Sequence, residues 1–597
     1  MVDRQGKINT TSDLLPLAEM QQQFTDLSGS NTPKIFTKTK YYETTWSMPT
    51  AGKWQLNLKS IASPDRRIVA AIRSVGPAGG AIPSLDWNGQ RLLISDRWIV
   101  KDIPQQAKVF LGSENTVGWS RERIDRIRWV DPNGWGYARV ELNPGESGNL
   151  MIEDTQPTPA PTLASTGAID LALNLPDPQF GASLKAQIAH LMMGLVGTRI
   201  HPTDPIGYPL PRFRDGAYQM VALARAGQLD VAQQLSSYFA ENDFINSTLP
   251  EADIPAVGIW ALAEVARAID KPDYDRWLWP HIQRKAELIG AMLSSNRPGY
   301  PVFAGAKFPF AEYPDLIRVD LAAGKMTNTP GAISINPAAS AISYRGLLDA
   351  ATLADRLQQA ARAQQWRSQA AQLKTTWQAA NQTEFSAVTN GLRSSGIADN
   401  HRAAMAQTLQ QRWETSRDTT GAFKVTSQPL HANIAEAHQW VLLDRADRLW
   451  PKLKWFWQQQ ASPGLYTWSG DRDESGEIPQ PQSFSQWDRW RGSIDSSHPT
   501  PHYWTSAEML LLQLDLLAYV DRTTSSPTLV IGAGMPPAWP SQPLSVTGRS
   551  VEGNLVNWAW DGQQMNVQIK GEKMAVKLGA AFPPTAPVNV VMLPASP

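Results

Sequence analysis

The sequence predicts a β domain, a ring of helices and a second β domain. Short alternating runs of apolar and polar residues, separated by Gly, Pro, Asn and Asp clusters, fill residues 1–165. From about residue 180 to residue 522, apolar residues recur with the period of an amphipathic helix. Alternation returns in residues 523–597. Strand-like runs without helical spacing predict an antiparallel sandwich at each end of the chain.

The composition limits the domain count and the classes of partner. The chain has 597 residues, so about two to four domains are expected. Its 55 Lys and Arg residues balance 55 Asp and Glu residues, which argues against nucleic acid as a partner. Cysteine is absent, which excludes disulfides and thiolate metal sites. The 24 tryptophans suit either sugar binding or a core between helices.

The first residues carry no targeting or membrane signal. The start, MVDRQGKINTTSDLLPLAEM, is polar and charged, so no signal peptide is predicted. No apolar run is long enough for a membrane span. A cytoplasmic location is the default expectation, and an exported one is left open if a leader is missing from this sequence.

The two β regions are predicted from particular runs. In the first region these are TWSM, KWQLNLKSI, RRIVAAIRSV, RLLISDRWIV and GYARVEL. The Pro- and Thr-rich segment DTQPTPAPTLAST, residues 154–166, then predicts an extended linker. In the last region, alternating runs around Gly and Asp-Gly turns include LSVTGRSVEGNLVNWAWDGQQMNVQIKG and KMAVKLG.

Eleven helices are predicted between the two β regions, and a twelfth is left open near residues 417–430. Small and large side chains alternate on their apolar faces, which suits closely packed helices. The predicted helices are 183–196, 216–227, 229–242, 255–269, 273–293, 337–357, 360–380, 400–414, 431–443, 446–460 and 503–520.

The connections between the helices alternate in length. Short connections follow the second, fourth and sixth helices, whereas long ones follow the first, third, fifth, seventh and penultimate helices. If consecutive helices run antiparallel, all the long loops lie at one end of a helical barrel. Because long loops in compact domains are usually functional, that end is the predicted site.

The segment YPLPRFRDGAYQMVALARAG, residues 208–227, is the local candidate around which the site is predicted. Two prolines precede Arg214 and Asp215, and the helical pattern begins at Gly216 or Ala217. Asp215 is therefore predicted to be the N-cap, with Arg214 in the loop just outside the helix. Such a pair suits a polar ligand, although a cap and a local ion pair are the simpler explanation of these two residues alone.

Several segments resemble the glucoamylase-like glycoside hydrolases, whose six helical hairpins form an (α/α)6 toroid. Residues 208–227 are similar to their aromatic-Arg-Asp-helix segment, and residues 253–289 to their next hairpin. GLYTWSGDRDESGEIPQPQSFS, residues 464–485, resembles the acidic loop before their final helix. The resemblance implies a multidomain fold with an N-terminal β-sandwich, a central (α/α)6 barrel and a small C-terminal β-sandwich, in domains 1–165, 166–522 and 523–597.

The resemblance also implies hydrolysis of a glycosidic bond with inversion. One carboxylic acid protonates the leaving oxygen, and a carboxylate roughly 6.5–9.5 Å away activates water. The acid is expected in the long loop after the fifth helix, where Glu312 is the first choice and Asp315 the second. The base is expected before the last helix, where Glu474 is the first choice and Asp473 and Glu477 are alternatives. For each acid alone, a solvated loop residue is at least as good an explanation.

The substrate-binding residues follow from the same resemblance and from aromatic residues in polar loops. The resemblance implies that Arg214 and Asp215 hold hydroxyls of the sugar in the −1 subsite. Asp253 is either a helix cap before Pro255 or a further hydroxyl ligand, and His502 is a candidate to line the cleft. Aromatic residues in long polar loops are predicted to stack on sugar or to pack a lid; they are Tyr208, Phe213, Trp487, Trp490, Tyr503 and Trp504.

No cofactor or metal is predicted. Two prolines in HPTPH keep His498 and His502 from sharing a helix face, and His431 and His438 lie two helical turns apart. The predicted partner is a carbohydrate substrate, and the oligomeric state is left open. Two other functions also remain open: a phosphorolytic or lyase-type toroid enzyme, the latter using Tyr503 and His502, and a non-catalytic carbohydrate-binding protein.

Overall fold

The fold is described by a computed structural model of the chain. It describes residues 15, 19–25, 34–50, 52–61, 66–73, 81–114, 116, 118–119, 122–156, 171–196, 199–203, 211–243, 245–246, 249–251, 253–294, 318–320, 325–329, 332–334, 337–380, 391–418, 421, 424, 430–461, 464–470, 501–523 and 526–594.

The chain divides into two compact units. The first consists of Met1–Ala168, Thr203–Pro209 and Gln458–His502, and the second of Ile169–Pro202, Leu210–Trp457 and Tyr503–Pro597. A sheet-rich N-terminal region, a helical central part and a C-terminal sheet region follow one another along the chain, as predicted. The C-terminal strands fall in the same unit as the helices.

The first unit contains a nine-stranded sheet in the order β1-β2-β3-β4-β12-β8-β7-β6-β10 and a three-stranded sheet in the order β5-β11-β9. Neighbouring strands in both sheets are antiparallel. The strands are β1 Met20–Thr25, β2 Lys34–Thr39, β3 Tyr42–Thr50, β4 Lys53–Ser60, β5 Val69–Arg73, β6 Ser84–Trp87, β7 Leu92–Ile94, β8 Trp98–Lys101, β9 Lys108–Ser113, β10 Arg128–Val130, β11 Gly136–Glu141 and β12 Ser147–Asp154.

Both sheets of the first unit contribute to one hydrophobic core. Leu56 and Leu58 of β4 alternate with exposed or half-buried neighbours, and Leu150 of β12 lies opposite Leu56 in the ladder. Val140 of β11 and Leu111 of β9 join the same buried cluster. The core therefore forms where the period-two apolar faces of the two sheets meet.

Eleven α-helices are found among the described residues, and each of the eleven predicted helices corresponds to one of them. The last helix ends at Leu517 rather than 520, because Ala518–Asp521 pairs as a strand with Thr528–Ile531. The helices are α1 Pro178–Met193, α2 Phe213–Arg225, α3 Leu229–Glu241, α4 Ile254–Ile269, α5 Pro272–Ser294, α6 Pro337–Arg356, α7 Ala360–Ala380, α8 Arg402–Ser416, α9 Leu430–Leu442, α10 Ala446–Gln458 and α11 Tyr503–Leu517.

Helices α2, α4 and α11 run in the same direction. At their beginnings, Arg214 of α2 pairs with Asp253, the residue before α4, and Tyr218 of α2 lies 5.2 Å from Trp504 of α11. Near their ends, Arg225 of α2 donates to Glu264 of α4 at 3.0 Å and to Asp515 of α11 at 3.4 Å. Contacts at both ends of the helices require parallel helix axes. These helices therefore begin at the same end of the second unit, called the helical unit below.

Helix α9 shares this direction. His431, near its start, stacks on Trp504 of α11 with the ring centroids 4.0 Å apart. His438, two turns later, bonds Asp515 of α11 at 3.0 Å. The connections that lead into α2, α4 and α11 span residues 194–212, 242–253 and 459–502, whereas 226–228, 270–271, 357–359 and 443–445 are short.

The C-terminal strands form two sheets, in the orders β13-β23-β24-β25-β27 and β21-β22-β26. Short hairpins, β14 with β15, β16 with β17 and β18 to β20, lie between helices. These strands are β13 Ala172–Asn174, β14 Leu195–Val196, β15 Arg199–Ile200, β16 Ile245–Asn246, β17 Leu249–Pro250, β18 Arg318–Asp320, β19 Lys325–Thr329, β20 Ala332–Ser334, β21 Ala518–Asp521, β22 Thr528–Ile531, β23 Leu544–Val551, β24 Asn554–Trp560, β25 Met565–Lys570, β26 Ala575–Leu578 and β27 Val588–Met592.

The C-terminal sheets are tied to the helices by a buried arginine. Arg549 of β23 is 1% exposed and donates to the carbonyl oxygens of Leu514 at 3.1 Å, Arg225 at 2.9 Å and Ala518 at 3.2 Å. These are carbonyls at the ends of α2 and α11, which lack intrahelical donors. Within the described part of the chain, no helix combines the length and the apolar character that crossing a membrane requires.

Candidate functional site

The predicted site residues divide into those that the structure describes and those that it does not. Outside the described residues lie both first-choice catalytic acids, Glu312 and Glu474, the alternatives Asp315, Asp473 and Glu477, and the aromatic candidates Tyr208, Trp487 and Trp490. Their roles remain predictions. The described candidates are Arg214, Asp215, Phe213, Asp253, His502, Tyr503 and Trp504.

The start of α2 differs from the prediction by three residues. Arg212 occupies the N-cap position without a side-chain capping bond, and the helix begins at Phe213. The prediction that Asp215 is the N-cap and that Arg214 lies in a loop was therefore wrong. Both residues lie in the first turn, where a carboxylate interacts favourably with the helix dipole. The helical backbone thus fixes the positions of both side chains.

Arg214 is the centre of a charged cluster. Its guanidinium donates to both carboxylate oxygens of Asp253, each at 2.8 Å, and also to Glu251. Asn246 in turn donates to the second oxygen of Glu251 at 2.8 Å. The bidentate pairing fixes the carboxylate plane of Asp253, which a single ammonium group does not achieve.

Asp253 resolves the choice between a cap and a polar ligand only in part. It occupies the N-cap position of α4, but its side chain makes no capping bond. Its carboxylate faces Arg214 instead, and 12% of the side chain remains exposed. The carboxylate of Asp253 therefore does not cap α4. Its role in binding a ligand remains a proposal.

Asp215 is almost completely buried, at 3% exposure. Burial raises the pKa of its carboxyl to about 6, against the opposing effect of the Arg212 and Arg214 guanidinium groups. Because ordinary Asp residues titrate near pH 4, the pKa of this group is strongly perturbed. Buried carboxyls of this kind are common in functional sites, although structural ion pairs also produce them.

Phe213 belongs to the core. Its ring is fully buried and packs edge-on against Phe239 with the centroids 4.9 Å apart, and against Tyr238 at 5.8 Å. The ammonium group of Lys285 lies 5.8 Å from the same ring. These contacts leave no ring face for a sugar, so we do not retain Phe213 as a stacking platform.

Trp504 lies at the centre of an aromatic group at the start of α11. Its ring stacks on His431 at 4.0 Å with an interplanar angle of 23°, and Tyr218 lies 5.2 Å away. Tyr218 also packs against Trp260 of α4 at 4.8 Å, and its hydroxyl lies 3.3 Å from that of Ser394. Trp504 is only half-buried, so part of its ring is accessible.

His431 connects the aromatic group to the charged cluster. Burial, together with the positive charge of Arg214, lowers the pKa of its imidazole to about 4. The ring is therefore neutral at neutral pH. Sequence reasoning considered this residue only as a metal ligand, because nothing in the helical pattern shows which ring it faces.

Glu508 is the site residue that sequence reasoning missed. It lies one turn after Trp504 in α11, is 5% exposed, and accepts a hydrogen bond from the Trp504 indole at 3.3 Å. Burial raises the pKa of its carboxyl to about 8, which the bond from Trp504 only partly offsets. In the sequence, Glu508 stands in the mainly apolar run AEMLLLQLDLL, and an acid in such a run was the available signal.

Replacing Glu508 with Gln is expected to change the pH dependence of stability. Between pH 4 and 8 the unfolded chain releases a proton that folded Glu508 retains, so the free energy of unfolding of the wild type falls with pH. The slope from this group is at most about 1.4 kcal/mol per pH unit. The Gln side chain still accepts from Trp504 but cannot ionise. The free energy of unfolding of Glu508→Gln, measured relative to the wild type by urea unfolding, should therefore be higher at pH 8 than at pH 5.

The exposed Glu287→Gln variant of α5 serves as the control and should follow the wild-type profile. Parallel profiles for Glu508→Gln and the wild type would contradict a neutral carboxyl at this position.

Two further described candidates, His502 and Tyr503, directly precede Trp504 in the chain. His502 is 8% exposed, and its amide donates to the Trp468 carbonyl at 2.9 Å, within the first unit. Tyr503 is buried, and a Cβ on Gly194 would lie 2.7 Å from its ring. This close approach explains a glycine after α1 and places the Tyr503 ring against a helix end. Among the described residues, no group of three His, Asp or Glu side chains could hold a metal ion.

Comparisons with known proteins show the fold. No protein-family model matches the sequence, and no curated protein matches it. A bacterial glucoamylase solved in complex with acarbose superposes with a TM-score of 0.53 at 11% identity, over 83% of this chain and 85% of that one. A GH78 family rhamnosidase of Bacillus sp. GL1 gives a TM-score of 0.50 at 10% identity, over 92% of this chain. The match spans 55% of the rhamnosidase's length. The chain thus has the fold of the six-hairpin toroid glycosidases, which confirms the predicted resemblance at the level of fold.

Proposed function

We propose that this protein is an inverting glycoside hydrolase that cleaves the O-glycosidic bond of an oligosaccharide or a small glycoside. One observation carries the proposal. The cluster of Arg214, Asp253 and Glu251 lies near the Trp504–His431 stack, at the end of the helical unit where α2, α4, α9 and α11 begin. The fold shared with a glucoamylase supports the same reaction class.

The charged cluster has the chemistry of a hydroxyl-binding subsite. A carboxylate has about four lone-pair positions, of which Arg214 occupies only some on Asp253 and Glu251. The remaining positions accept hydrogen bonds from sugar hydroxyls. Arg214 therefore orients two acceptors in addition to presenting its own donors, and Asp215 lies beside it in the same helical turn. The subsite would hold the sugar on the non-leaving side of the bond.

The aromatic group supplies an apolar surface beside the acceptors. Sugar rings present C–H groups that pack on aromatic rings, and the half-buried Trp504 offers such a surface. Its stacked partner His431 and its hydrogen bond to Glu508 fix the orientation of the ring. Tyr208, Trp487 and Trp490 remain proposed as additional platforms.

The catalytic pair is proposed from the sequence. Glu312 protonates the leaving oxygen, and Glu474 takes a proton from the attacking water on the other face of the sugar, with Asp315, Asp473 and Glu477 as alternatives.

The finer architecture, two β-sandwiches and an (α/α)6 barrel with domains 1–165, 166–522 and 523–597, belongs to the same proposal. The eleven described helices and the alternating lengths of their connections support it.

Substituting either catalytic acid is expected to abolish most of the activity. Glu474→Gln and Glu312→Gln should each lower kcat on the preferred aryl glycoside by about 10²- to 10⁴-fold, because general acid or base catalysis contributes that much. Loss of the acid should be milder on substrates with good leaving groups, which need little protonation. Initial rates over a panel of aryl glycosides measure both effects.

Controls distinguish this proposal from its rivals. Glu287→Gln, on an exposed face of α5, should keep wild-type rates. NMR of the first-formed sugar should show inversion of the anomeric centre. A requirement for inorganic phosphate would indicate phosphorolysis, a product absorbing in the near ultraviolet would indicate a lyase, and tight glycan binding without turnover would indicate a binding protein. Each of these outcomes would overturn hydrolysis.

A further inference from the structure

The first unit contains a cavity of about 610 Å³. Its walls come from one face of the nine-stranded sheet, from β5, and from Trp119 and Leu465. Ligand-binding cavities usually measure about 300–1,000 Å³ and are mostly apolar with a few polar groups. By size, this cavity belongs to that class.

The cavity follows from the unequal widths of the two sheets. Strands are spaced at about 4.8 Å, so a three-stranded sheet covers about a third of a nine-stranded one. Strand β5 forms an edge of the smaller sheet and also a wall of the cavity. Beyond it, alternate residues of β3 and β4 face the space, namely Tyr42, Thr44, Trp46, Leu56 and Leu58.

Two polar side chains of the cavity wall keep a donor without an acceptor. Arg73, the last residue of β5, donates through Nε to Glu114 at 2.7 Å. Among the described residues, nothing accepts a hydrogen bond from its Nη2 or from the indole nitrogen of Trp119. The guanidinium lies over the Trp119 ring at 5.4 Å, so both donors are at the same end of the cavity.

Buried donors without acceptors are uncommon, because each costs about 1–3 kcal/mol. Both donor atoms are covered by neighbouring protein atoms, so their side chains must rotate before they face the cavity. After that rotation, a ligand with two acceptor oxygens at one end and an apolar body would satisfy both donors and fill the apolar walls. Arg73 already pairs with the carboxylate of Glu114, and Arg214 of the same chain shows that one guanidinium can bind two carboxylates. A side-chain rotation at Arg73, which is 19% exposed, would present Nη2 to the cavity.

We propose that this cavity binds an amphipathic carboxylate, with the carboxylate at Arg73 and Trp119 and the apolar chain between β5 and strands β2–β4. Medium-chain fatty acids are the simplest members of this class. The inference does not depend on the glycosidase proposal, because every residue of this site belongs to the first unit.

Calorimetric titration of the full chain with dodecanoate and with dodecanol tests the site. Dodecanoate should bind with a stoichiometry of one. Arg73→Gln should weaken dodecanoate binding by about tenfold or more, the equivalent of one charge-assisted hydrogen bond, and should change dodecanol binding much less. Thr44→Phe, which fills the cavity from β3, should weaken both ligands. Arg128→Gln, at an exposed position of β10 in the same unit, should change neither.

Absence of dodecanoate binding would overturn the proposal. So would an equal loss of both ligands in Arg73→Gln, or unchanged binding in a folded Thr44→Phe variant. If Arg73→Gln fails to fold because Glu114 loses its partner, the Thr44→Phe result decides the question alone, with thermal unfolding used to verify its fold.

Discussion

Replacing Arg214 with Met is expected to lower kcat/KM for the preferred glycoside by about 10²- to 10³-fold, because it removes the group that positions two carboxylates. Arg214 contacts Asp253 through two hydrogen bonds and Glu251 through another. Without the guanidinium, two negative groups face each other and separate. Arg214→Lys keeps the charge but loses the bidentate geometry, so its activity should be intermediate. Steady-state kinetics of the two variants measures the effect.

The matched control for Arg214→Met is Arg276→Met. Arg276 pairs with Asp273 on an exposed face of α5, where 64% of the arginine side chain is accessible. Exposed ion pairs contribute little, so this variant should keep wild-type kinetics and stability. A correctly folded Arg214→Met enzyme with unchanged kcat/KM would show that the charged cluster lies outside the site. Circular dichroism and thermal unfolding confirm that each variant is folded.

Replacing Asp515 with Asn is expected to destabilise the helical unit by about 3–5 kcal/mol, since it leaves buried positive charges without their counter-charge. Asp515 of α11 is 1% exposed. It accepts from Arg225 at 3.4 Å and from His438 at 3.0 Å, lies 3.1 Å from Arg393, and has Arg549 at 3.7 Å. Urea unfolding at pH 7 measures the loss, and Asp273→Asn, at an exposed position, should show little change.

The loss of stability in Asp515→Asn should depend on pH in a defined direction. Burial alone would raise the pKa of Asp515, but the Arg393 and Arg225 guanidinium groups outweigh it and hold the pKa well below the usual range. A depressed folded-state pKa contributes stability that is complete above the unfolded pKa of about 4 and is lost as the pH falls through the folded value. The deficit of Asp515→Asn should therefore be constant from pH 5 to 7 and shrink only in stronger acid. A deficit that shrinks between pH 7 and 5 would contradict this account.

Local sequence patterns predicted the helices well but placed their ends less accurately. The period of the apolar residues identified all eleven described helices, because each must bury one face. The beginning of α2 was missed by three residues, since Asp215 is as acceptable in a first helical turn as in a cap. The end of α11 was overestimated, since Ala518–Asp521 is apolar enough for either state and a strand partner decided it.

In the candidate site too, the sequence identified individual residues but not the contacts between them. Arg214 and Asp253 were recognised as polar residues at helix starts, but their mutual pairing joins residues 39 positions apart and has no local signature. Phe213 was expected at the ligand and lies in the core, because its position in the first turn directs the ring towards Phe239. Glu508 was overlooked within an apolar helix, where only the neighbouring elements reveal that it is buried beside Trp504.

The sequence by itself determined the order of strand-rich and helical regions, the helices, and the alternation of short and long connections. These depend on period, turn residues and chain length, which are local properties. Only the tertiary structure decided that α2, α4, α9 and α11 begin at one end, and that Arg214 orients Asp253 and Glu251 near the Trp504–His431 stack. The physical reason is that pairing and burial depend on which elements pack together, and that choice is made by the whole chain rather than by any one segment.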